Sequence, residues 1–204
     1  MSITNGYCTL AEIKTYIGLT GSGQDSNLEN AIESSSREID QYCDRIFYVT
    51  GSVSQHYTPT NLFELQINDV SSTTNLVVKL DTTDDGTHDK TLTINTDFIV
   101  TPENRTNGVN QNQPITGLRI LDSRSSERFD PKVINNVKVT GTFGFSAVPD
   151  SIKQATFLQA TRLFKRKDSP FSTYGNPQTG TGELFNRFDP DALKLIRGYS
   201  KKTL

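Results

Sequence analysis

Apolar residues recur at three- and four-residue spacing near both ends of this chain, and at two-residue spacing from about residue 51 to residue 147. The first spacing lines one stripe of a helix and the second lines one face of a strand. A single chain must therefore build helices from its two ends and strands from its middle. Each helix carries an apolar stripe that needs cover, so the end helices are expected to pack on one another with the strands inserted between them. The expected fold is α+β: a small helical core made of an N-terminal helix pair and a later long helix, an inserted antiparallel β lobe, and a short C-terminal helical arm.

The boundaries follow from local signals. Residues 1–50 hold the helix pair. Thr9 with Glu12 three residues on is a capping-box pattern ahead of Ile13, Tyr16 and Ile17, and Gly18 is a natural stop. Asp25 or Ser26 is placed to cap a second helix from Asn27 to Cys43, with Leu28, Ala31, Ile32, Ile39, Tyr42 and Cys43 on its stripe. Residues 51–147 form the β lobe, with runs such as Leu62–Ile67, Leu76–Asp81, Gly117–Asp122 and the stretch from Asn136 alternating as strands do. Thr82–Asp89 reads as a hairpin tip in which Asp85 and Gly86 take positive φ. Asn104–Pro114 is polar and rich in breakers, which predicts an exposed, mobile loop. Residues 148–168 hold the third core helix, opened by Pro149 and Asp150 and carrying Ile152, Ala155, Leu158 or Gln159, Leu163 and Phe164, with Phe157 widening the stripe. Residues 169–204 form a Ser, Pro, Gly and Thr-rich linker and a docking arm, in which Asp189 and Pro190 start a last short helix.

Composition narrows the function. With 33% hydrophobic residues, no Trp and one Met, the chain has modest apolar material for its 204 residues. Mean hydropathy is −0.49. Such a chain is read as a subunit whose cores are helped by neighbours in an assembly. The N-terminus lacks a basic and apolar leader pattern, and no run of about 18 apolar residues occurs, so neither export nor membrane spanning is expected. Cys8 and Cys43 lack metal-ligand spacing and read as reduced, partly buried thiols. His56 and His88 have no Cys or His partner at ligand spacing. The acidic tip of Asp81, Asp84, Asp85 and Asp89 misses the calcium-loop pattern and reads as a solvated turn. No nucleophile elbow, phosphate loop or dinucleotide fingerprint is present. No catalytic, metal or cofactor site is expected, and the chain is not read as an enzyme.

Charge is unevenly placed. From Pro149 to Leu204 ten Lys and Arg face five Asp and Glu, a net +5, and residues 1–148 carry −7. Arg162, Lys165, Arg166 and Lys167 are the densest basic cluster, open to three readings: the solvated, dipole-matched end of a helix, phosphate contact, or pairing with acidic residues of a neighbouring subunit. A tethered short amphipathic helix suits an arm that docks on another surface, with Phe185, Phe188, Leu193, Leu195, Ile196 and Tyr199 as anchors, or a helix that folds back on its own core.

The order of these pieces resembles a known family. The run YCTLAEIKTYIGL, the helix NLENAIESSSREIDQYC, then DRIFY with Arg45 and Phe47, the strands DFIVTPEN and PITGLRIL, and VTGTFGFSAVPDSIKQATFLQATRLFKR together resemble the head-tail connector (adaptor) proteins of long-tailed bacteriophages. The resemblance implies a virion structural protein at the head-tail interface, assembled in the host cytoplasm. It implies a homo-oligomeric ring of about twelve copies seated on the portal protein, joined on its other side to the next connector or tail component. Double-stranded DNA would pass through the lumen without sequence-specific binding, and the C-terminal segment would meet the portal. For the basic cluster the intersubunit reading is then preferred over strong DNA binding, because a channel gripping DNA hinders its ejection. Removing residues 183–204 is expected to leave a folded protein that no longer joins the portal. Two other classes remain: a tail-completion or stopper subunit, or a carbohydrate-binding β module using Tyr57, Phe63 and Phe98 as stacking platforms.

Overall fold

The computed structural model describes residues 3–105, 113–167, 173–174, 182–183 and 188–201. The chain divides into two compact units, Met1–Arg45 with Val148–Leu204, and Ile46–Ala147. The fold is α+β, with four α-helices and antiparallel sheets among the described residues.

The first unit is helical. Helix α1, Leu10–Ile17, starts at a complete capping box: the Thr9 hydroxyl accepts from the Glu12 N–H, and the Glu12 carboxylate accepts from the Thr9 N–H. Gly18, at φ 68°, closes it in the left-handed conformation that costs glycine least. Helix α2, Asp25–Cys43, begins two residues earlier than its stripe predicts. Asp25 lies in its first turn and pairs with Lys14 at 2.7 Å, so it acts through charge and not as the cap. Helix α3, Asp150–Arg166, packs along α2, and α4, Pro190–Ile196, packs on α3. Ile13, Leu28 and Ile32 are fully buried around Ala160, each burial stabilising by roughly 1.5–3 kcal/mol. Three stripe positions depart from expectation. Tyr42 is 42% exposed, while Ser35 and Ser36 are buried with their hydroxyls donating to the Ile32 carbonyl. Gln159, not Leu158, faces inward on α3.

The second unit holds two antiparallel sheets. One orders its strands β1 (Ser52–Tyr57), β7 (Val137–Thr142), β3 (Val77–Leu80), β4 (Lys90–Leu92). The other orders β2 (Glu64–Val70), β6 (Ile115–Ile120), β5 (Phe98–Thr101). Val78, Leu80, Val137 and Val139 from the first sheet share one core with Leu65, Ile67, Phe98, Leu118 and Ile120 from the second. A register shift between Gln66 and Val70 realigns the end of β2, so that Val70 pairs with Ile115.

At the exit from this unit Gly144 sits at φ 99°, and a Cβ there would lie 1.8 Å from the Tyr48 carbonyl oxygen. Only glycine fits that turn. Phe47 and Phe145 flank it, both buried, their rings 4.8 Å apart. The β3–β4 tip differs from its predicted geometry, since positive φ falls on Asp84 and Gly86 and not on Asp85. Beyond α3, Thr173–Tyr174 pairs antiparallel with Gly182–Glu183. Most of the predicted Asn104–Pro114 loop lies outside the described residues.

Candidate functional site

The described residues singled out for assembly stand on α3, on α4 and beside their ends, so their geometry begins with what holds α4. Asp189 caps α4, its carboxylate accepting from the Asp191 and Ala192 N–H groups at 2.9 and 3.2 Å. The Asp189 N–H donates to the Gln159 side-chain carbonyl at 3.1 Å, and the Gln159 amide donates to the Glu38 carboxylate at 2.6 Å. Arg162 faces the second Asp189 oxygen at 3.9 Å. Gln159, 3% exposed, therefore joins α2, α3 and the start of α4 through one side chain. Past α4, the Lys201 N–H donates to the Cys43 carbonyl at 2.9 Å, and the Phe188 ring lies 6.1 Å from that of Tyr42.

Of the two arrangements open for the last helix, α4 lies folded back on α3 of its own chain. Ile196 is fully buried, as is Ala192, so the apolar side of α4 is covered by its own chain. Leu193, Leu195, Tyr199 and Phe188 are half-buried. Phe185 lies outside the described residues. Removal of residues 183–204 would strip cover from α3 and from the end of α2, so it is no longer a mild deletion. Point substitutions at partly exposed positions replace it.

The basic cluster divides in the same way. Arg162 is turned to Asp189 of its own chain, with 17% of its side chain exposed. Lys165 and Lys167 are exposed, and the Lys167 ammonium lies 5.0 Å from the Phe164 ring centroid. Lys165 and Arg166 occupy the last turn of α3, where cations complement the helix dipole. Beside them a groove of about 410 Å³ runs between α2 and α3, lined by Asn27, Ala31, Glu38, Leu163, Phe164 and Lys167. It has apolar, amide and charged walls.

Two joints sequence reasoning missed fix the N-terminal side. Lys153 of α3 donates to Glu12 at 2.9 Å. The Thr9 backbone N–H, Lys153 and the Thr9 hydroxyl together lower the Glu12 carboxyl from 4.5 to about 2. The Tyr7 hydroxyl donates to Asp40, and Arg37 pairs with Asp40 at 3.0 Å while its guanidinium lies over the Tyr7 ring. Burial nevertheless keeps the Asp40 carboxyl above its usual range. The Glu12 contact was within reach, since the capping pattern names Glu12 and Lys153 lies on the stripe-bearing helix. Nothing local marks Gln159 or Tyr7.

The cysteines are buried thiols: burial pushes Cys8 up to about 12 and Cys43 up to about 11. Among the described residues no group of three or more His, Cys, Asp or Glu is placed to hold a metal, and no helix is long and apolar enough to cross a membrane. The acidic tip is spent on its own backbone. Asp81 accepts from the Thr83, Asp85 and Gly86 N–H groups, which outweigh its burial and lower its carboxyl, and Asp89 accepts from both the hydroxyl and the N–H of Thr82. The glycan-platform trio does not assemble. Phe98 is 1% exposed in the core, the Tyr57 hydroxyl is tied to Gln55 and Asn68, and Arg128 covers the Phe63 ring at 5.0 Å.

Comparison with known proteins agrees with the order of motifs. Residues 7–101 match the family described as phage gp6-like head-tail connector protein. No curated protein matches. Among solved structures, the chain is similar to one from the neck of an empty GTA particle computed with C6 symmetry, with a TM-score of 0.58 and 14% identity over 100% of this chain and 94% of that one. A chain from the neck of a native GTA particle computed with C12 symmetry gives a TM-score of 0.51 and 16% identity, again over 100% and 94%. At these identities the two structures speak for the fold.

Proposed function

We propose that this chain, which carries the phage gp6-like head-tail connector pattern over its N-terminal half, is a structural neck subunit that forms a ring of about twelve copies on the portal vertex and lets double-stranded DNA pass through. The observation that carries the reading is the family match over α1, α2 and the first strands, joined to a fold shared along its whole length with neck chains. The sixfold and twelvefold symmetry of those necks supports a ring. The chain works by positioning surfaces and not by chemistry, in the virion, with its ring assembled in the host cytoplasm.

The portal contact is assigned to the C-terminal segment, 169–204. With Ile196 committed to its own core, the side chains left for the portal are the half-buried Phe188, Leu193, Leu195 and Tyr199, together with Phe185. Lys165, Arg166 and Lys167 are assigned to the contact with the neighbouring subunit, which acidic side chains there would complete. The experiment is native mass spectrometry of the purified protein alone and mixed with its portal. A ring-sized species, or a monomer that joins the portal in many copies, is expected. A monomer indifferent to the portal would end the connector reading.

A further inference from the structure

The two sheets of the β unit treat charge in opposite ways on their outer faces. On the β2-β6-β5 sheet, Glu64 stands directly across from Arg119 and pairs with it at 2.9 Å, and Glu103 approaches the same guanidinium at 3.5 Å. Opposite charges face each other there, which stabilises a cross-strand pair. On the β1-β7-β3-β4 sheet the same kind of row holds two lysines and a histidine and no acidic residue. His56 of β1 stands across from Lys138 of β7, and Lys138 stands across from Lys79 of β3. Side chains directly opposite have Cβ atoms about 4.5–5.5 Å apart, and like charges at that spacing are destabilising. The next position across, on β4, is Thr91.

No acidic residue stands across from the row within the sheet. Among the described residues neither Lys79 nor Lys138 makes an ion pair. Residues 106–112, the stretch of this unit outside the described residues, contain no Asp or Glu. His88 adds a second imidazole, its ring 5.1 Å from that of His56. Partial burial, the His88 ring and the Lys138 ammonium hold the His56 imidazole below its usual range. A sheet face with such a row is suited to meet an anion.

The neighbours of the row say which anion. On the same face the adjoining cross-strand row is Ser54, Thr140 and Val77, and the one beyond it begins with Ser52 and Thr142. Protein interfaces are anchored by aromatic and large apolar side chains at their centres, and this face offers only Val77. Lysines flanked by hydroxyls are the usual partners of phosphate oxygens, and without arginine forks or recognition side chains they read no bases. We propose that the outer face of the β1-β7-β3-β4 sheet, through Lys79, Lys138 and His56, is a phosphate-contacting surface for the backbone of double-stranded DNA. It rests on the connector reading for the source of the duplex. Two or three contacts give a weak, salt-sensitive touch, compatible with a duplex that must keep moving.

The test is fluorescence anisotropy of a labelled mixed-sequence duplex with the full chain. About two phosphate contacts predict an affinity that falls roughly ten-fold as salt rises from about 50 to about 200 mM. Lys79→Gln with Lys138→Gln is expected to abolish most of the binding and to lower the salt slope by about 2, each single substitution by about 1. Lys132→Gln, elsewhere on the unit, is expected to bind like the parent. Relief of repulsion should let the double variant melt at or above the parent temperature, which shows that lost binding is not lost folding. Absence of binding by the parent at low salt, or a double variant that binds like the parent, overturns the proposal. So does binding lost in Lys165→Gln with Arg166→Gln but kept in the row variant. If the row variant alters the mass of the assembly and leaves DNA binding intact, the face is a protein interface and the proposal falls. The assay needs neither ring nor portal, so its failure leaves the mass measurement, and the connector reading, to stand or fall separately.

Discussion

Gly144 and Glu12 show how single positions decide the local structure. A side chain at Gly144 meets the Tyr48 carbonyl carbon and oxygen at a positive φ, so neither a rotamer change nor a small shift relieves it. Gly144→Ala is expected to destabilise the β unit by more than about 3 kcal/mol, read as a collapse of the denaturation midpoint. A midpoint within experimental error of the parent would refute the geometry. Glu12 acts through charge. Its folded-state carboxyl, lowered from 4.5 to about 2, contributes stability that is fully present above 4.5 and lost as pH falls toward 2. Because the ion pair is well exposed, the effect at neutral pH is at most about 1 kcal/mol. Glu12→Gln should therefore lower the midpoint at neutral pH, and the gap from the parent should close as the buffer is taken down through that window. A gap independent of pH would place the effect in shape and not in charge.

At the scale of elements, the sequence was most informative where one local rule decided the outcome. Thr9 and Glu12 announced α1, Asp189 and Pro190 announced α4, and the two-residue alternation located β2, β3, β6 and β7. It was least informative where tertiary partners decide. No local signal says that Gln159 rather than Leu158 turns inward, because that choice depends on Glu38 and on the Asp189 N–H, 121 and 30 residues away. For the same reason the fate of α4 could not be read from its stripe, which suits a partner surface and its own core equally. Asp189→Ala removes the cap and the Arg162 contact, and should cost about 1 kcal/mol, with the loss concentrated in α4. Hydrogen exchange of the α4 amides checks this: faster exchange there with α2 unchanged is expected. Equal protection in parent and variant would mean that packing of Ala192 and Ile196 alone holds the helix.

For the whole molecule, the charge asymmetry noted along the chain does not map onto function as simply as its sum suggests. The basic C-terminal quarter spends Arg162 and Lys153 on internal pairs, while the uncompensated row sits in the acid-rich part of the chain, where a regional total hides it. Only strand register brings Lys79, Lys138 and His56 together. The division of the chain also bears on how it comes into being. The helical unit is discontinuous, Met1–Arg45 joined with Val148–Leu204, and its central contact, α2 against α3, closes over the entire β unit. On the ribosome α1 and α2 emerge first, and α3, which packs along α2, follows more than a hundred residues later. The β unit, contiguous in sequence, has its full complement of strands before then. A folded insert shortens the loop that α2 and α3 must close and so lowers its entropic cost. The helical unit therefore reaches its final form only after the whole β unit has been made.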